Sequence, residues 1–315
     1  MEKGSKIFVA GHNGMVGSAI VRNLISKEYK NLILLNREKL NLLNQQDVEF
    51  FFKEYSPDYV FVAAAKVGGI LANNTFRADF IYQNLTIQNN IINSAFLSGV
   101  EKLLFLGSSC IYPKNSQNPI KETDLLSGKL EITNEPYAIA KIAGIKMCES
   151  YYKQHKANFF SIMPTNLYGI KDNFNLKTSH VLPALIRKIH EAKINKHKSF
   201  EVWGTGLPKR EFLYVDDLAD ACVFLMNNYN ASDIYSLNIS HLNIGSGEEV
   251  SILELSNLIK ETIRYRGNIV FNNSYPDGMM RKLIDNTNIK KMGWTSKTSL
   301  KEGIQITYDW FKNNK

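Results

Sequence analysis

The chain has 315 residues, of which 44% are hydrophobic and 22% are charged, a composition typical of a folded globular protein rather than of a disordered one. Its 38 Lys and Arg against 30 Asp and Glu leave a formal charge of +8, which is compatible with nucleic acid, a membrane surface or a phosphorylated small molecule. Three scattered cysteines exclude a disulfide framework, and we find neither a signal peptide nor an apolar run long enough to span a bilayer. We therefore expect a cytoplasmic protein with no membrane partner.

The first 170 residues alternate short apolar runs with helical patterns. The runs that predict strands are 6–10, 32–35, 59–62, 103–106 and 159–162. The predicted helices are one in which Val16, Ile20, Val21 and Leu24 share a face, and three more at about 46–54, 80–97 and 136–155. This alternation predicts an α/β fold whose central sheet is parallel and covered by helices on both faces.

The sequence changes character after Tyr168 and Gly169, where a polar loop, a helix from about residue 180 and short strands follow. We expect a first domain of residues 1–170 with a returning segment at about 214–246. We expect a smaller α/β C-terminal lobe formed by residues 171–213 and 247–315.

Two further classes of site are not expected. The Lys-rich stretch 188–198 has no interleaved aromatic residue that would stack on bases, so we expect one solvated helix face there and no nucleic-acid partner. No group of Cys and His residues has the spacing of zinc ligands, so we expect no metal site.

Three glycines stand between the first strand and the first helix, at Gly11, Gly14 and Gly17. Glycine at such a turn permits backbone angles denied to other residues, close approach of the main chain to a pyrophosphate, and tight packing of helix on sheet. The helix N-terminus adds a favourable field for the negative charge. The turn therefore predicts a Rossmann-type doubly wound sheet that binds a dinucleotide.

The end of the second strand bears on which dinucleotide binds. An NAD-specific enzyme usually has Asp or Glu there to bind the ribose hydroxyls, whereas this chain has Asn36 and Arg37. An arginine can bind a 2'-phosphate through paired charge-assisted hydrogen bonds, which favours NADP. The alternative is that Arg37 is a solvated loop cation.

Tyr137 and Lys141 form a YxxxK motif, which puts the phenol and the ammonium one turn apart on one helix face. The Lys is expected to lower the pKa of the phenol, so that Tyr137 protonates a carbonyl oxygen that receives hydride, while Lys141 also bonds the nicotinamide ribose. Ser108 follows the fourth strand, at the edge of the sheet where ligands bind, and is expected to bond the same oxygen. Cys110 lies two residues further along.

Together these residues resemble the extended short-chain dehydrogenases that act on nucleotide sugars, and among them the GDP-L-fucose synthase family. The resemblance covers essentially the whole chain. The segments that carry it are 63–70 (AAAKVGGI), 107–113 (GSSCIYP), 134–141 (NEPYAIAK), 163–169 (MPTNLYG), 179–184 (SHVLPA), 202–206 (VWGTG), 210–212 (REF) and 276–278 (PDG).

The resemblance implies that NADPH is the cofactor and that a GDP-linked 4-keto-6-deoxy sugar is the substrate. The keto group acidifies the hydrogens on carbons 3 and 5, so one base and one acid that flank the sugar can invert both centres. The family's residues for these roles match Cys110 as base and His180 as acid. NADPH then delivers hydride to carbon 4, and Tyr137 supplies the proton.

The resemblance also implies the binding residues. Those for the cofactor are Gly11, Asn13, Gly14, Met15, Val16, Gly17, Arg37, Asn41, Leu42, Ala63, Ala64, Ala65, Lys141, Pro164, Asn166, Leu167 and His180. Those for the substrate are Lys188, Trp203, Arg210 and Lys282, with the fork of Arg210 suited to a diphosphate. The helices at 80–97 and 136–155 are the pair through which such enzymes commonly form homodimers.

Two points depart from this pattern or stay open. The family often has Arg in the glycine turn, where this chain has Asn13, and this weakens the expected preference for NADP over NAD. The same scaffold also suits a GDP-linked keto-deoxyheptose, or reduction at carbon 4 with little or no epimerisation. A non-catalytic NADP-sensing protein is disfavoured because such proteins lose the Tyr and Lys.

Overall fold

A computed structural model of the chain describes residues 1–275 and 277–314, so that Pro276 of the matched segment 276–278 lies outside the described residues. The first half contains β1 (Ile7–Ala10), α1 (Met15–Ser26), β2 (Leu32–Ile33), α2 (Gln45–Tyr55), β3 (Tyr59–Val62), α3 (Ile70–Thr75), α4 (Arg77–Leu97), β4 (Lys102–Leu106), α5 (Glu135–His155), β5 (Phe159–Pro164) and β6 (Asn166–Tyr168). The second half contains α6 (Val181–Ile194), β7 (Ser199–Trp203), β8 (Lys209–Tyr214), α7 (Val215–Asn228), α8 (Ala231–Tyr235), β9 (Leu242–Ile244), β10 (Glu249–Ser251), α9 (Ile252–Ile263), β11 (Asn268–Asn272), β12 (Arg281–Lys282), α10 (Thr287–Lys291) and α11 (Leu300–Asn313).

The large sheet has six parallel strands in the order β2-β1-β3-β4-β5-β9. Alternate residues of its strands face opposite sides: Ile7 and Val9 belong to one apolar core, and Phe8 and Ala10 to the other. Helices α1 and α7 cover the first face, and α2, α4 and α5 cover the second. The parallel sheet with both faces covered confirms the fold class expected from the sequence.

The predicted strands and helices of this sheet are found within a few residues of the expected bounds, with one exception. The apolar run 32–35 pairs with β1 only at Leu32 and Ile33. Beyond them, Leu34 is 36% exposed and Leu35 lines a cleft. The run is short as a strand because β2 is an edge strand and the chain leaves the sheet where that cleft begins.

The second lobe packs its own core from α6, α9 and α11 against β7 and β8. Strand β8 pairs in parallel with β6 and β12 and antiparallel with β10, while β7 and β11 form a separate parallel pair. Segment 214–246 returns to the large sheet, since α7 packs on α1 and β9 extends the sheet beside β5. Residues 284–294 also pack there, with Ile284 in one core and Ile289 and Trp294 in the other.

Candidate active site

A cleft of about 840 Å³ opens at the carboxyl ends of β1, β3, β4 and β5, where ligands bind in sheets of this kind. Every residue that the sequence predicts as a cofactor contact lines it, from Gly11 in the glycine turn to Leu167 and His180 on the opposite side. Ser108 and Tyr137 line it as well. The cleft therefore brings together residues separated by up to 170 positions in the chain.

The glycine turn is shaped for close backbone approach. Gly11 has φ +84°, and a Cβ on it would lie 2.7 Å from the Ala64 nitrogen. A Cβ on Gly17 would lie 2.1 Å from the Gly11 carbonyl oxygen. Gly14 begins α1 with no side chain capping its amides and no acidic residue in the first turn. The turn thus fits the pyrophosphate of a dinucleotide, an anion held by main-chain amides.

Three more of the expected cofactor contacts are brought to the same cleft. Arg37, Asn41 and Leu42 follow β2 in the loop that leads to α2, and all three line the cleft. Arg37 and Asn13 are both exposed, so their side chains are accessible to a ligand.

Ser108, Tyr137 and Lys141 meet where β4 ends against the start of α5. Lys141 is 4% exposed, and its Nζ donates to the Leu106 carbonyl at 2.8 Å and lies 5.8 Å from the centre of the Tyr137 ring. The Ser108 hydroxyl lies near the Tyr137 phenol and lowers its pKa. The edge of the Phe80 ring faces the Tyr137 ring, with 6.1 Å between ring centres. The hydroxyls of Ser108 and Tyr137 therefore lie close together, beside the buried ammonium of Lys141.

The pKa of the Tyr137 phenol is shifted in the direction opposite to that expected from the sequence. Burial raises the pKa of the phenol above its ordinary value, and the neighbouring Cys110 raises that pKa further, while the Ser108 hydroxyl lowers it. Burial also lowers the pKa of Lys141 to about 8. Tyr137 is therefore protonated at neutral pH, which suits a proton donor.

Cys110 lies on a short 3-10 turn, Ser109–Ile111, directly after β4. Its Sγ donates to Ser108 Oγ at 3.4 Å, and the residue is 9% exposed. Burial raises the pKa of the thiol, while the charge of Lys282, the Ser108 hydrogen bond and the charge of Lys141 lower it. The thiol is thus in contact with the Ser108 hydroxyl and within the electrostatic field of two ammonium groups.

His180 is the N-cap residue of α6, and its side chain lines the cleft. Desolvation of the imidazole by the walls of the cleft lowers its pKa, and the charge of Lys282 lowers that pKa further. The segment before it is tied to the large domain, because the Gly69 amide donates to the Thr178 carbonyl at 2.9 Å. Lys282 thus acts electrostatically on both Cys110 and His180.

The residues expected to bind substrate form a second group, on the second lobe. Arg210 and Lys282 are direct neighbours in the register of β8 and β12. Trp203 stacks on Tyr275 with 4.3 Å between ring centres, and the Lys188 Nζ lies 4.7 Å from the centre of the Trp203 ring. Burial lowers the pKa of Lys282 to about 8. This group combines a stacking surface with three cations.

Several residues of the site are absent from the sequence-based prediction. His12, Lys66 and Asp172 line the cleft, and Tyr275 stacks on Trp203. His12 lies in the glycine turn and Asp172 follows the matched segment 163–169, and this proximity is a signal that could have identified them. Tyr275 carries no such signal. In the described ranges 1–275 and 277–314, no cluster of three or more His, Cys, Asp or Glu could hold a metal ion.

The sequence model of the NAD dependent epimerase/dehydratase family matches residues 7–245. The chain belongs to this family. It is 56% identical to GDP-L-fucose synthase 1 from Arabidopsis thaliana, over 99% of this chain and 95% of that protein. The resemblance noted from the sequence is confirmed.

Two solved structures from Campylobacter jejuni are also similar. One is a GDP-6-OMe-4-keto-L-xylo-heptose reductase, with a TM-score of 0.95 and 42% identity, covering 100% of this chain and 99% of that one. The other is MlghC, a GDP-mannoheptose C4 reductase with NADP bound, with a TM-score of 0.92 and 44% identity, covering 99% of both chains. None of the helices in the described part of this family member is long and apolar enough to cross a membrane.

Proposed function

We propose that this protein converts GDP-4-keto-6-deoxy-D-mannose to GDP-L-fucose, by epimerisation at carbons 3 and 5 followed by NADPH-dependent reduction of the 4-keto group. One observation carries the proposal: Cys110 Sγ lies 3.4 Å from Ser108 Oγ, so a candidate base contacts the hydroxyl pair that would hold the keto oxygen. A reductase alone needs the hydroxyl pair, and epimerisation needs the base beside it.

Ser108 and Tyr137 hold the substrate's keto oxygen with two hydrogen bonds, and this stabilises the negative charge that develops there. Because burial raises the pKa of Tyr137, the phenol keeps its proton until the oxygen at carbon 4 takes it. Bound NADPH supplies the hydride to carbon 4. Lys141, fixed to the Leu106 carbonyl at 2.8 Å, positions the cofactor's ribose beside Tyr137.

Cys110 and His180 exchange protons with carbons 3 and 5. Desolvation raises the pKa of the thiol and lowers that of the imidazole, so the resting pair is thiol and neutral imidazole. The reactive pair, thiolate and imidazolium, holds the same number of protons. Its formation therefore moves one proton within the site and takes none from solvent. Lys282 lowers the energy of the thiolate.

We propose that the two domains bind different ligands, as the sequence suggested. The domain of residues 1–170 and the returning segment 214–246 holds the cofactor, in a cleft whose wall is completed by residues 171–173, 178 and 180, and the lobe of residues 171–213 and 247–315 holds the GDP-sugar. Arg210 and Lys282, adjacent in the register of β8 and β12, supply charge for the diphosphate. The stacked pair of Trp203 and Tyr275, with Lys188 beside it, supplies an aromatic surface for the base.

The deciding experiment is product analysis by NMR. Purified protein receives NADPH and GDP-4-keto-6-deoxy-D-mannose in deuterated water. We expect GDP-L-fucose carrying deuterium at carbons 3 and 5. A reduced sugar that keeps both original centres and both original hydrogens would contradict the epimerase half of the proposal.

A second candidate is a 4-reductase that acts on a GDP-linked keto-deoxyheptose with little or no epimerisation. The observation that favours it is the similarity, over essentially full length, to the two heptose reductase structures. The discriminating measurement offers a GDP-keto-deoxyheptose and the hexose substrate at equal concentration. Faster turnover of the heptose, with no deuterium in the product, would select this candidate.

NADPH is the proposed cofactor, with Arg37 on the 2'-phosphate. The position of Arg37, exposed in the cleft and in the loop between β2 and α2, supports this role. We expect Arg37→Met to weaken NADPH binding about tenfold, as loss of a charge-assisted hydrogen bond predicts, and to leave NADH binding unchanged. Titration of both nucleotides by fluorescence measures this, and equal losses for both would place Arg37 elsewhere.

A homodimer in the cytosol is the proposed state. Helices α4 and α5 pack together and leave Tyr82, Leu97 and Ile139 exposed, which supports a second copy packing on this helix pair. The three cysteines are free and buried, as a reducing compartment permits. Light scattering on Tyr82→Lys, with Ile25→Lys on α1 as control, tests the interface. A dimer that survives the first change would exclude this face.

A further inference from the structure

Residues 171–173, here called the strap, run along the wall of the cofactor cleft without a role in the chemistry described above. All three line the cleft, together with His12 of the glycine turn. The Lys171 charge lowers the pKa of His12, after the larger effect of burial, so the strap lies within electrostatic reach of the turn. The strap therefore borders the part of the cleft that receives the pyrophosphate.

The strap is held in place by its own hydrogen bonds and by its neighbours. Asn173 Nδ2 donates to Thr178 Oγ1 at 2.9 Å, and the Thr178 carbonyl accepts from the Gly69 amide at 2.9 Å. From α6, Arg187 Nη1 donates to the Phe174 carbonyl at 3.2 Å. Asp172 thus occupies a defined place and is not at the tip of a loose loop.

One oxygen of Asp172 has a partner and the other has none. Oδ1 accepts from the Asn173 amide at 2.7 Å. Oδ2 is buried and makes no hydrogen bond anywhere in residues 1–275 or 277–314. A buried polar atom without a partner costs about 1–3 kcal/mol, so such an atom on a residue that lines a ligand cleft points to a partner on the ligand.

The charge around Asp172 decides whether Oδ2 donates or accepts. Burial raises the pKa of the carboxyl to about 7, against the opposing hydrogen bond from Asn173. No salt bridge in the described part of the chain involves this carboxylate. The other titratable or charged groups that face the strap or line its cleft are His12, Arg37, Lys66, Tyr137, Lys141, Lys171, His180 and Arg187. A pyrophosphate placed nearby would disfavour the carboxylate further.

We propose that Asp172 binds the pyrophosphate of the dinucleotide as a protonated carboxylic acid, with Oδ2 donating a hydrogen bond to a phosphate oxygen. This inference rests on the proposed cofactor and adds to it a residue and a protonation state. Binding then raises the proton affinity of Asp172, so the complex takes up a proton. The affinity gained is complete below pH 7 and is lost as pH rises through the carboxyl's pKa in the complex.

The test measures NADPH dissociation constants by fluorescence at pH 6, 7, 8 and 9 on the full chain. The variants are Asp172→Asn, Asp172→Ala and, as matched control, Asp309→Asn on the exposed side of α11. Asparagine keeps a donor at the position of Oδ2 and cannot titrate, so it reproduces the protonated acid.

We expect wild type and Asp309→Asn to weaken about tenfold or more from pH 7 to pH 9, since one pKa unit is a factor of ten. Asp172→Asn should match wild type at pH 6 and show a flatter profile. Asp172→Ala should be about tenfold weaker than wild type at pH 6, the loss of one hydrogen bond to a charged group. Calorimetry of the wild type at pH 7.5, in two buffers of different ionisation enthalpy, should show proton uptake.

Two results would overturn the inference. Binding that tightens with pH in wild type and is lost in Asp172→Asn would make the group an accepting carboxylate. Equal affinity of Asp172→Ala and wild type at pH 6 would remove Asp172 from the site. Failure of wild type and Asp309→Asn to bind NADPH at any pH would instead overturn the proposed cofactor, and the inference with it.

Discussion

The two sides of the active site are built in different ways. The cofactor side comes from the carboxyl ends of adjacent strands of one sheet, and each of its motifs is a short segment at a strand end, such as 11–17 or 63–65. The substrate side combines two pairs from the second lobe: Arg210 and Lys282 are neighbours in the register of β8 and β12, and Lys188 of α6 lies against Trp203 of β7, contacts that only the packing of this lobe creates. A substitution in one of the strand-end segments is therefore expected to act mainly on cofactor binding. On the substrate side, removal of one charge, such as that of Lys282, changes the electrostatic field at both Cys110 and His180.

The largest effect is expected for Tyr137→Phe, which belongs to the cofactor side. Loss of the proton donor should slow NADPH consumption about 10³-fold, within the range for a general acid. Deuterium exchange at carbons 3 and 5 should persist in part, because Ser108 still bonds the keto oxygen. NADPH absorbance and NMR measure the two rates. Tyr82→Phe on the exposed face of α4 is the control, and an unchanged reduction rate in Tyr137→Phe would refute the assignment.

Cys110→Ser distinguishes epimerisation at carbons 3 and 5 from the cofactor-dependent reduction at carbon 4. Because the hydroxyl is a much weaker acid than the thiol, exchange at carbons 3 and 5 should fall about 10²- to 10³-fold. NADPH affinity should change less than about twofold, since the thiol faces Ser108 and is not expected to contact the nucleotide. NMR exchange and a fluorescence titration provide the two readouts. Exchange at the wild-type rate would exclude Cys110 as the base.

Gly17→Ala tests the cofactor side by shape alone. The added Cβ would lie 2.1 Å from the Gly11 carbonyl oxygen, so the turn must open. We expect NADPH affinity to fall about 10²-fold and the free energy of unfolding to fall by about 1–3 kcal/mol, as for overpacking of a close contact. Gly4→Ala is the control because nothing lies within 4 Å of its Cβ position. Unchanged affinity in Gly17→Ala would mean that the turn does not bind the cofactor.

Lys282→Met is expected to change the reaction rate least of these variants. It tests directly whether one charge on the substrate side acts on several reacting groups. Removing the cation raises the pKa of both the Cys110 thiol and the His180 imidazole, so the pH profile of exchange should move to higher pH as a whole and exchange at pH 7 should fall by at most about tenfold. Lys209→Met, whose ammonium lies 3.9 Å from Glu249 and is half-exposed, should leave the profile in place. A loss in Lys282→Met that is the same at every pH would assign Lys282 to substrate binding alone.

The same contrast explains what sequence reasoning could and could not identify. The glycine turn and the YxxxK pair depend on spacings of a few residues, and their distances in the structure follow from helix and turn geometry. The predicted direction of the Tyr137 pKa shift was wrong. The sequence spacing gives the distance to Lys141, but it does not give the burial of the phenol, which has the larger effect on its pKa. Tyr275 was missed because its stacking on Trp203 depends on how residues more than 70 positions apart meet.

By itself, the sequence determined the fold class, the dinucleotide turn and the resemblance that names the reacting residues. These features are carried by local patterns, since backbone periodicity and turn chemistry act over a few residues. Only the tertiary structure decided which charged groups lie close enough to change the pKa of which titratable side chains. It brought the Lys282 charge to bear on Cys110 and His180, and it left one oxygen of Asp172 buried without a partner in the described residues. The physical reason is that burial and electrostatic fields are set by all surrounding atoms, whatever their separation along the chain.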